Sequence, residues 1–535
     1  MTNKTWREFF PLKQPRKEQE YILDRIVEKI NSGEKTFILE AGTGVGKSAI
    51  AVCLANYITA TITGFDKYKK GAYILTSQKI LQDQYLRDYK SACDIRSSSN
   101  FSCHSGPGET CGQTIRYNIY SNKKEKDQQK TCPNCPYRNA KDNFISAPLG
   151  ITNYSYFMSE TVYAGEIEPR KLLVLDEAHN IESEMRRWST VEIDEETVNN
   201  VGCEFPFNSS RNDIIDWLTE IYKPTLVSHV LSLSDRLESL ESKGIKKGIS
   251  SLIDELDKMD KHMCAVNRIF DDEMKIDRDM LMDWSEQQNG RRKLQIQPLE
   301  SGKIAKDMLY TLGEYNLLMS ATILSSSIFK KSVGIDNCEF VSQPTPFPPK
   351  NFGLVYKPVG KMSKAFISKT MPKMINAVKE ILKKHPLEKG IIHCANYDIT
   401  KAIASINDRR LLIQTTAKDR EDILKRHREG VGPTVIVSPS MMEGLDLEGD
   451  LGRFQIICKI PFPNMGDPVV EARNKQGDSW YAWYTSKSLI QSVGRCVRSI
   501  TDTTNTYILD ESFGVFFEKW GQMFPPYFGE LEIDI

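Results

Sequence analysis

The sequence predicts an α/β protein with two parallel-sheet units, because short buried strands alternate with helices on both sides of a proline-rich stretch at 344–349. Two further observations support this fold class. A glycine-rich turn joins the first strand to a helix, and a chain of 535 residues with 40% hydrophobic residues can bury several cores. Sheets of this kind bind ligands at the carboxyl ends of their strands.

The first unit begins with a helical pattern at 18–31, followed by a strand at 36–39 and a helix that starts near Lys47. Further strands are predicted at 73–76 and 172–175. In the second unit, the strand candidates are 390–393, 434–437 and 454–457.

Changes in composition divide the chain into six segments. We assign residues 1–90, 151–184 and 306–345 to the first unit and residues 346–535 to the second. Residues 91–150 are rich in Cys, Ser, Gly and Lys, whereas residues 185–305 are charged and mostly helical in pattern. Both segments are predicted to be insertions into the first unit.

Charge and hydropathy exclude few partners. Lys and Arg total 71, as do Asp and Glu, but zero net charge does not exclude nucleic acid, because local charge and backbone donors bind phosphate. The sequence has no apolar run of about 20 residues and no secretory start. We therefore expect a cytoplasmic protein with no membrane partner, associated with the nucleoid if it is bacterial or phage-encoded.

A phosphate-binding loop is predicted between the first strand and its helix. From Ala41 the spacing matches a P-loop, with Ala in place of the first Gly. Backbone N–H groups would cradle phosphate, Lys47 would neutralise the β- and γ-phosphates, and Ser48 would ligate Mg²⁺. The predicted loop residues are Ala41, Gly42, Thr43, Gly44, Val45, Gly46, Lys47 and Ser48.

Two acidic residues end the strand at 172–175. Asp176 is expected to coordinate Mg²⁺, directly or through water, and Glu177 to orient and polarise the attacking water. Together with the P-loop, they predict nucleotide hydrolysis with Mg²⁺ and ATP.

Four cysteines form a candidate metal site. Cys103, Cys111, Cys132 and Cys135 are separated by seven, twenty and two residues. Four thiolates suit either tetrahedral Zn²⁺ or a 4Fe–4S cluster. The spacing alone does not decide between them, and the chemistry favours zinc slightly.

Further segments resemble the XPD/DinG family of superfamily 2 iron–sulfur DNA helicases. The resemblance covers nearly the whole chain but is weak in residues 185–305. The matching segments are, in chain order, Gln19, TSQKILQDQ at 76–84, DEAH at 176–179, Ser320-Ala321-Thr322, Thr345-Pro346-Phe347, SMMEGLD at 440–446, Pro461-Phe462-Pro463 and QSVGRCVR at 491–498.

The resemblance implies two RecA-like motor domains that clamp ATP between them. Gln19 would contact the adenine base. The nucleotide would also be contacted by Glu443, Gly444 and Asp446. The phosphoryl transition state would be stabilised by Gln491, Arg495 and Arg498, whose spacing places them on one face of a predicted helix.

The resemblance also implies a 4Fe–4S cluster on the four cysteines and an Arch-type domain at 185–305. The family translocates 5′ to 3′, so we expect a monomeric motor on single-stranded and forked DNA, with DNA repair among the candidate pathways. Two alternatives remain: a helicase that remodels RNA or RNA–DNA hybrids, and a nucleic-acid-binding scaffold with a weak motor.

Overall fold

The computed structural model describes residues 4–62, 67–104, 109–115, 134–245, 248–270, 280–286, 290–440 and 447–534. Within these residues the chain forms two seven-stranded sheets and one three-stranded sheet. The prediction of two parallel-sheet units is confirmed, since every strand pair in both large sheets is parallel.

The first sheet has the strand order β10-β1-β9-β5-β2-β4-β3. Its central strand is buried at every position, because helices cover both faces of the sheet. The strands are β1 (Thr36–Ala41), β2 (Lys69–Thr76), β3 (Ala92–Asp94), β4 (Leu149–Asn153), β5 (Arg170–Asp176), β9 (Gly313–Ser320) and β10 (Glu339–Gln343).

The second sheet has the order β13-β14-β12-β15-β16-β11-β17, so the chain passes from one sheet to the other between β10 and β11. Its strands are β11 (Phe352–Gly360), β12 (Gly390–His393), β13 (Leu411–Ile413), β14 (Val435–Ser438), β15 (Phe454–Ile457), β16 (Thr504–Asp510) and β17 (Glu532–Ile533).

The segment at 185–305 is not wholly helical. Three antiparallel strands, β6 (Val191–Asp194), β7 (Met280–Glu286) and β8 (Arg292–Pro298), pair in the order β6-β8-β7. Leu294 and Ile296 are fully buried between more exposed neighbours, a period-two pattern that charged residues obscure in the sequence. This sheet shares one core with the long helices of the segment.

The helices connect these strands and carry the insertions. They are α1 (Lys17–Asn31), α2 (Lys47–Thr61), α3 (Lys79–Asp88), α4 (Pro136–Ser146), α5 (Tyr154–Ser159), α6 (Ile181–Ser189), α7 (Glu195–Val201), α8 (Arg211–Asp216), α9 (Lys223–Ser242), α10 (Ile249–Arg268), α11 (Gly302–Ile304), α12 (Ser326–Val333), α13 (Ile367–Lys384), α14 (Tyr397–Ala404), α15 (Arg420–Glu429), α16 (Pro468–Lys475), α17 (Asp478–Val493) and α18 (Ser512–Trp520). Three π-helical segments accompany them: Glu160–Ala164, Trp217–Tyr222 and Ala305–Leu309.

Two helices of the second unit pack against the first. The Asp467 side chain accepts hydrogen bonds from the backbone N–H groups of Val469 and Val470, and together with Pro468 it starts α16. Val470 on α16 and Trp480 and Trp483 on α17 lie in the same core cluster as residues of the first unit. These helices therefore hold the two units together beside the carboxyl edge of the first sheet.

Among the helices that the structure describes, none is both long and apolar enough to cross a bilayer.

Candidate active site

The phosphate-binding loop joins β1 to the N terminus of α2. Gly44 and Gly46 have φ values of +90° and +88°, which side-chain-bearing residues rarely adopt. A Cβ atom on Gly46 would lie 2.5 Å from Gln19 Nε2, and one on Gly44 would collide with the Phe347 ring. The loop therefore needs glycine at both positions and brings a helix N terminus, a natural phosphate site, to the cleft.

Lys47 and Ser48, the first residues of α2, line this cleft. Lys47 Nζ donates a hydrogen bond to the Ala41 carbonyl at 3.1 Å. The ammonium group is therefore held over the loop, where it can meet an incoming phosphate.

Asp176 is the last residue of β5 and is held by hydrogen bonds on both carboxylate oxygens. The backbone N–H of Glu177 donates to Oδ1 at 2.9 Å, and the Tyr85 hydroxyl donates to Oδ2 at 3.0 Å. Burial and the neighbouring charge of Glu177 raise the pKa of Asp176 to about 6, although Lys47 opposes the shift. A cation at this site would favour the ionised carboxylate.

Glu177 follows with a φ of +50°, in the left-handed region. Burial acts to raise its pKa, but the hydrogen bond and charge of His179 and the charges of Lys47 and Arg495 lower the pKa overall. Glu177 is therefore the more acidic of the two carboxyl groups and is available as an anion to orient water.

A chain of polar side chains runs from Glu177 to the second unit. His179 Nδ1 lies 3.2 Å from Glu177 Oε2 and 2.8 Å from Ser320 Oγ. Ser320 Oγ lies 3.4 Å from Thr322 Oγ1, which accepts a hydrogen bond from Gln491 Nε2 at 3.0 Å. The acidic pair is thus connected through β9 to α17.

The predicted helical face for Gln491, Arg495 and Arg498 is wrong. Helix α17 ends at Val493, so only Gln491 belongs to it. The N–H of Gly494 closes the last turn on the Ile490 carbonyl at 2.9 Å, and the chain then leaves the helix. Both arginines nevertheless line the cleft, Arg495 from the turn after α17 and Arg498 from the irregular segment that follows it.

The P-loop, the acidic pair, Thr322, Gln491 and both arginines border one cleft of about 980 Å³ between the two units. From the first unit it is lined by residues that include Arg16, Glu40, Gly42, Thr43, Gly44, Gly46, Lys47, Ser48, Asp176, Glu177 and Thr322. From the second unit it is lined by residues that include Gln491, Arg495, Arg498, Phe524 and Tyr527.

Gln19 contacts the loop itself. Its Oε1 accepts a hydrogen bond from the Arg16 N–H at 2.9 Å, and its Nε2 donates to the Gly46 carbonyl at 3.3 Å. The Gln19 amide therefore stabilises the P-loop by a hydrogen bond. The buried side chains of Ala41 and Val45 stabilise it by packing. An adenine contact by Gln19 stays a prediction.

Two family profiles match the chain. One, described as "Type III restriction enzyme, res subunit", matches residues 12–201, and one described as "Helicase C-terminal domain" matches residues 364–530. The first match contains the P-loop and the acidic pair, and the second contains the arginines.

Two curated relatives match over different lengths. The ATP-dependent DNA helicase DinG of Photobacterium profundum is 29% identical over 41% of this chain, and the match covers 34% of the relative's own length. A probable ATP-dependent helicase of Methanocaldococcus jannaschii is 22% identical over 95% of this chain and 93% of its own length.

Solved structures share the fold. An XPD helicase structure superposes with a TM-score of 0.62 at 15% identity, covering 98% of this chain and all of that chain. The S. tokodaii Xpd4 structure gives 0.57 at 15% identity over 97% of this chain and 100% of that chain. The two profiles and these relatives indicate an ATP-hydrolysing helicase that is similar to the XPD/DinG family.

Some residues expected to act in this XPD/DinG-like helicase lie outside the described residues. They are Glu443, Gly444 and Asp446, predicted to contact nucleotide, and Cys132, the third predicted metal ligand in chain order.

The other three predicted metal ligands do not form a metal site by themselves. The Sγ atoms of Cys111 and Cys135 are 3.8 Å apart, and the Thr114 hydroxyl donates to Cys103 Sγ at 3.1 Å. Burial, with the adjacent Cys135 and Cys103, raises the pKa of Cys111 to about 11, whereas the Tyr137 N–H opposes it. The described residues, which exclude Cys132, contain no group of three or more His, Cys, Asp or Glu side chains that could hold a metal ion.

Three further residues of this XPD/DinG-like helicase reach the site without having been predicted. The Arg16 guanidinium donates to the Gly44 carbonyl, and Glu40 accepts hydrogen bonds from the Leu324 N–H at 2.7 Å and the Ser342 hydroxyl at 3.0 Å. Tyr85 holds Asp176. Glu40 adjoins the P-loop motif in sequence, but nothing in the sequence identifies Tyr85, since its partner is 91 residues away.

Proposed function

We propose that this chain is an ATP-dependent DNA helicase that hydrolyses ATP between its two RecA-like domains, moves along single-stranded DNA and separates duplexes. The observation that carries the proposal is the shared cleft, in which the P-loop and acidic pair of one unit meet Arg495 and Arg498 of the other.

The proposed roles follow from the chemistry of each group. Lys47 neutralises phosphate charge, and Glu177 orients the attacking water and accepts its proton. Arg495 and Arg498 stabilise the charge that develops on the transferring phosphoryl group. Ser48 and Asp176 would hold Mg²⁺, which screens the phosphate charges when it is bound, and their hydroxyl and carboxylate oxygens suit this ion.

The polar chain from Glu177 to Gln491 supports a coupling role. It joins the hydrolytic carboxylate to α17 of the second unit through hydrogen bonds that have a defined geometry. We propose that loss of the γ-phosphate rearranges these hydrogen bonds between Glu177 and Gln491 and so alters how the two units pack. Each cycle would then advance the motor along the strand.

DNA is the proposed substrate because the Photobacterium relative carries the name ATP-dependent DNA helicase. Motors of this kind contact mainly the nucleic-acid backbone, so binding should depend weakly on sequence and strongly on salt. The 5′ to 3′ direction, the preference for forked DNA, the monomeric state and a cytoplasmic location are proposed from the family resemblance.

A metal centre is proposed for residues 91–150, with residues 185–305 as the Arch-type domain. The family resemblance supports a 4Fe–4S cluster on Cys103, Cys111, Cys132 and Cys135. Zinc is the alternative. The Cys135 thiol donates a hydrogen bond to Cys111 Sγ at 3.8 Å, a separation that two thiolates about 2.3 Å from one tetrahedral zinc ion could keep. A four-iron cluster is larger and requires these two sulfur atoms to separate.

The test is ATP hydrolysis and strand separation by the full chain on matched DNA and RNA. We expect DNA to stimulate hydrolysis, a 5′-tailed duplex to be unwound in preference to a 3′-tailed one, and Lys47→Ala to abolish both activities. Lys475→Ala, at an exposed site on α16, is the matched control.

Other outcomes are equally informative. Stronger stimulation by RNA would replace the DNA proposal with an RNA or hybrid remodeller. Tight DNA binding with negligible hydrolysis, unaffected by Lys47→Ala, would contradict the motor and favour a scaffold.

A further inference from the structure

Tyr85 lies on α3, in the segment that follows the second strand of the first sheet. Its side chain is 1% exposed, so its hydroxyl is enclosed by protein. That hydroxyl donates a hydrogen bond to Asp176 Oδ2 at 3.0 Å. Asp176 is one of the two residues assigned above to Mg²⁺, and the other, Ser48, lines the same cleft.

The chemistry of the two groups sets the direction of the hydrogen bond. A carboxylate can only accept, so the Tyr85 hydroxyl donates its proton to Asp176 Oδ2. The backbone N–H of Glu177 donates to Oδ1 at 2.9 Å, so both oxygens of the carboxylate are held in place.

Neighbouring aromatic residues keep this arrangement in place. The Tyr85 ring packs against Tyr89 with a centroid separation of 6.0 Å. The Tyr154 hydroxyl donates to the backbone carbonyl of Asp176 at 3.2 Å, which fixes the end of β5. Asp176 is therefore restrained at its side chain and at its backbone.

We propose that Tyr85 is a positioning residue for Mg²⁺, because its buried hydroxyl orients the carboxylate of Asp176. The proposal rests on the proposed ATPase function and deepens it. With phenylalanine at this position the ring is retained, but Asp176 loses a hydrogen-bond donor. Affinity for Mg²⁺ falls, whereas contacts between the P-loop and phosphate are unchanged.

The test compares Tyr85→Phe with Tyr89→Phe in the full chain. The second variant removes a hydroxyl from the adjacent packed ring without touching Asp176 or Ser48. Binding of a fluorescent ADP analogue is titrated in EDTA and over a range of Mg²⁺ concentrations, and the Mg²⁺ dependence of ATP hydrolysis is recorded in parallel.

For Tyr85→Phe, the half-saturating Mg²⁺ concentration should rise about fivefold to tenfold in both assays, which corresponds to the loss of one buried hydrogen bond. Its affinity for the analogue in EDTA should match that of the unaltered protein, which also shows that the variant is folded. Tyr89→Phe should behave as the unaltered protein.

Three results would overturn the proposal: an unchanged Mg²⁺ requirement for Tyr85→Phe, an equal loss of affinity in EDTA, or the same change in Tyr89→Phe. If the unaltered protein itself binds the analogue without any Mg²⁺ dependence, the proposed ATPase function fails as well. The two failures are therefore distinguishable.

Discussion

Arg473 on α16 forms a buried ion pair with Glu182 on α6, although 291 residues separate them. The two side chains are 5% and 9% exposed, and the indole N–H of Trp480 donates to the second Glu182 oxygen at 3.2 Å. Since α6 directly follows the acidic pair and α16 precedes the helix that carries Gln491, this ion pair joins the two units next to the cleft.

Removing Arg473 should therefore be costly. We expect Arg473→Ala to lower the free energy of unfolding by about 3–5 kcal/mol, because Glu182 would be left buried without its cation. Urea unfolding followed by tryptophan fluorescence measures the change. Asp336→Ala, which breaks an exposed ion pair with Lys306, is the control and should have little effect. If both variants lower the free energy of unfolding by an equally small amount, the ion pair does not hold the two units together.

A substitution at Thr322 tests the hydrogen-bonded side chains that connect Glu177 to α17. Thr322→Val keeps the shape of the side chain but removes the acceptor of the Gln491 hydrogen bond. We expect the rate of strand separation to fall about tenfold while ATP hydrolysis stays nearly unchanged, because the loss affects the connection and not the acidic pair. Ser327→Ala is an exposed control nearby. Parallel losses in both rates would contradict a coupling role.

His262 should make the stability of the 185–305 segment dependent on pH. Its ring is partly buried, and Nε2 lies 2.7 Å from the Tyr222 hydroxyl; desolvation lowers the pKa of His262 to about 4 from 6.5. In the unfolded chain His262 takes up a proton as the pH falls below 6.5, but in the folded protein it does so only near pH 4. The contribution of neutral His262 to the free energy of unfolding is therefore complete above pH 6.5 and falls on acidification, by about 2 kcal/mol at pH 5.

The check is urea unfolding at pH 7.5 and pH 5. His262→Gln removes the titrating ring, so the difference in stability between the two pH values should shrink by about this amount. His229→Gln, on the adjacent helix α9, is the matched control. An undiminished pH difference in His262→Gln would show that other groups cause the acid sensitivity.

The cysteine group predicts a bound metal that depends on Cys135. Cys135→Ser should lose iron or zinc in an elemental and sulfide assay after anaerobic purification, because a serine hydroxyl is a poor ligand for either centre. Cys93→Ser is the control, since Cys93 lies on β3 outside the predicted ligand set. About four irons with sulfide would support the cluster, and one zinc would support the alternative. Metal-free protein from the unaltered sequence would contradict both.

The sequence predicted those features whose cause is local. Six strands were found where apolar runs occur, because a run of four or more apolar residues must be buried on both faces of a sheet. The P-loop was identified because its chemistry lies within eight consecutive residues, and the glycines that it requires have positive φ. The three antiparallel strands in residues 185–305 were not predicted, since charged side chains on their exposed faces hide the alternation.

The sequence by itself thus determined the two parallel sheets, the order of the motifs and the positions of Lys47, Asp176 and Glu177. Only the tertiary structure decided that Arg495 and Arg498 lie beyond the end of α17, that Gln19 contacts the P-loop, and that Tyr85 and Arg473 bond to distant carboxylates. The physical reason is the range of each interaction. Strand and loop conformations depend on neighbours within a few residues, whereas a hydrogen bond across 91 or 291 residues exists only once packing brings its partners together.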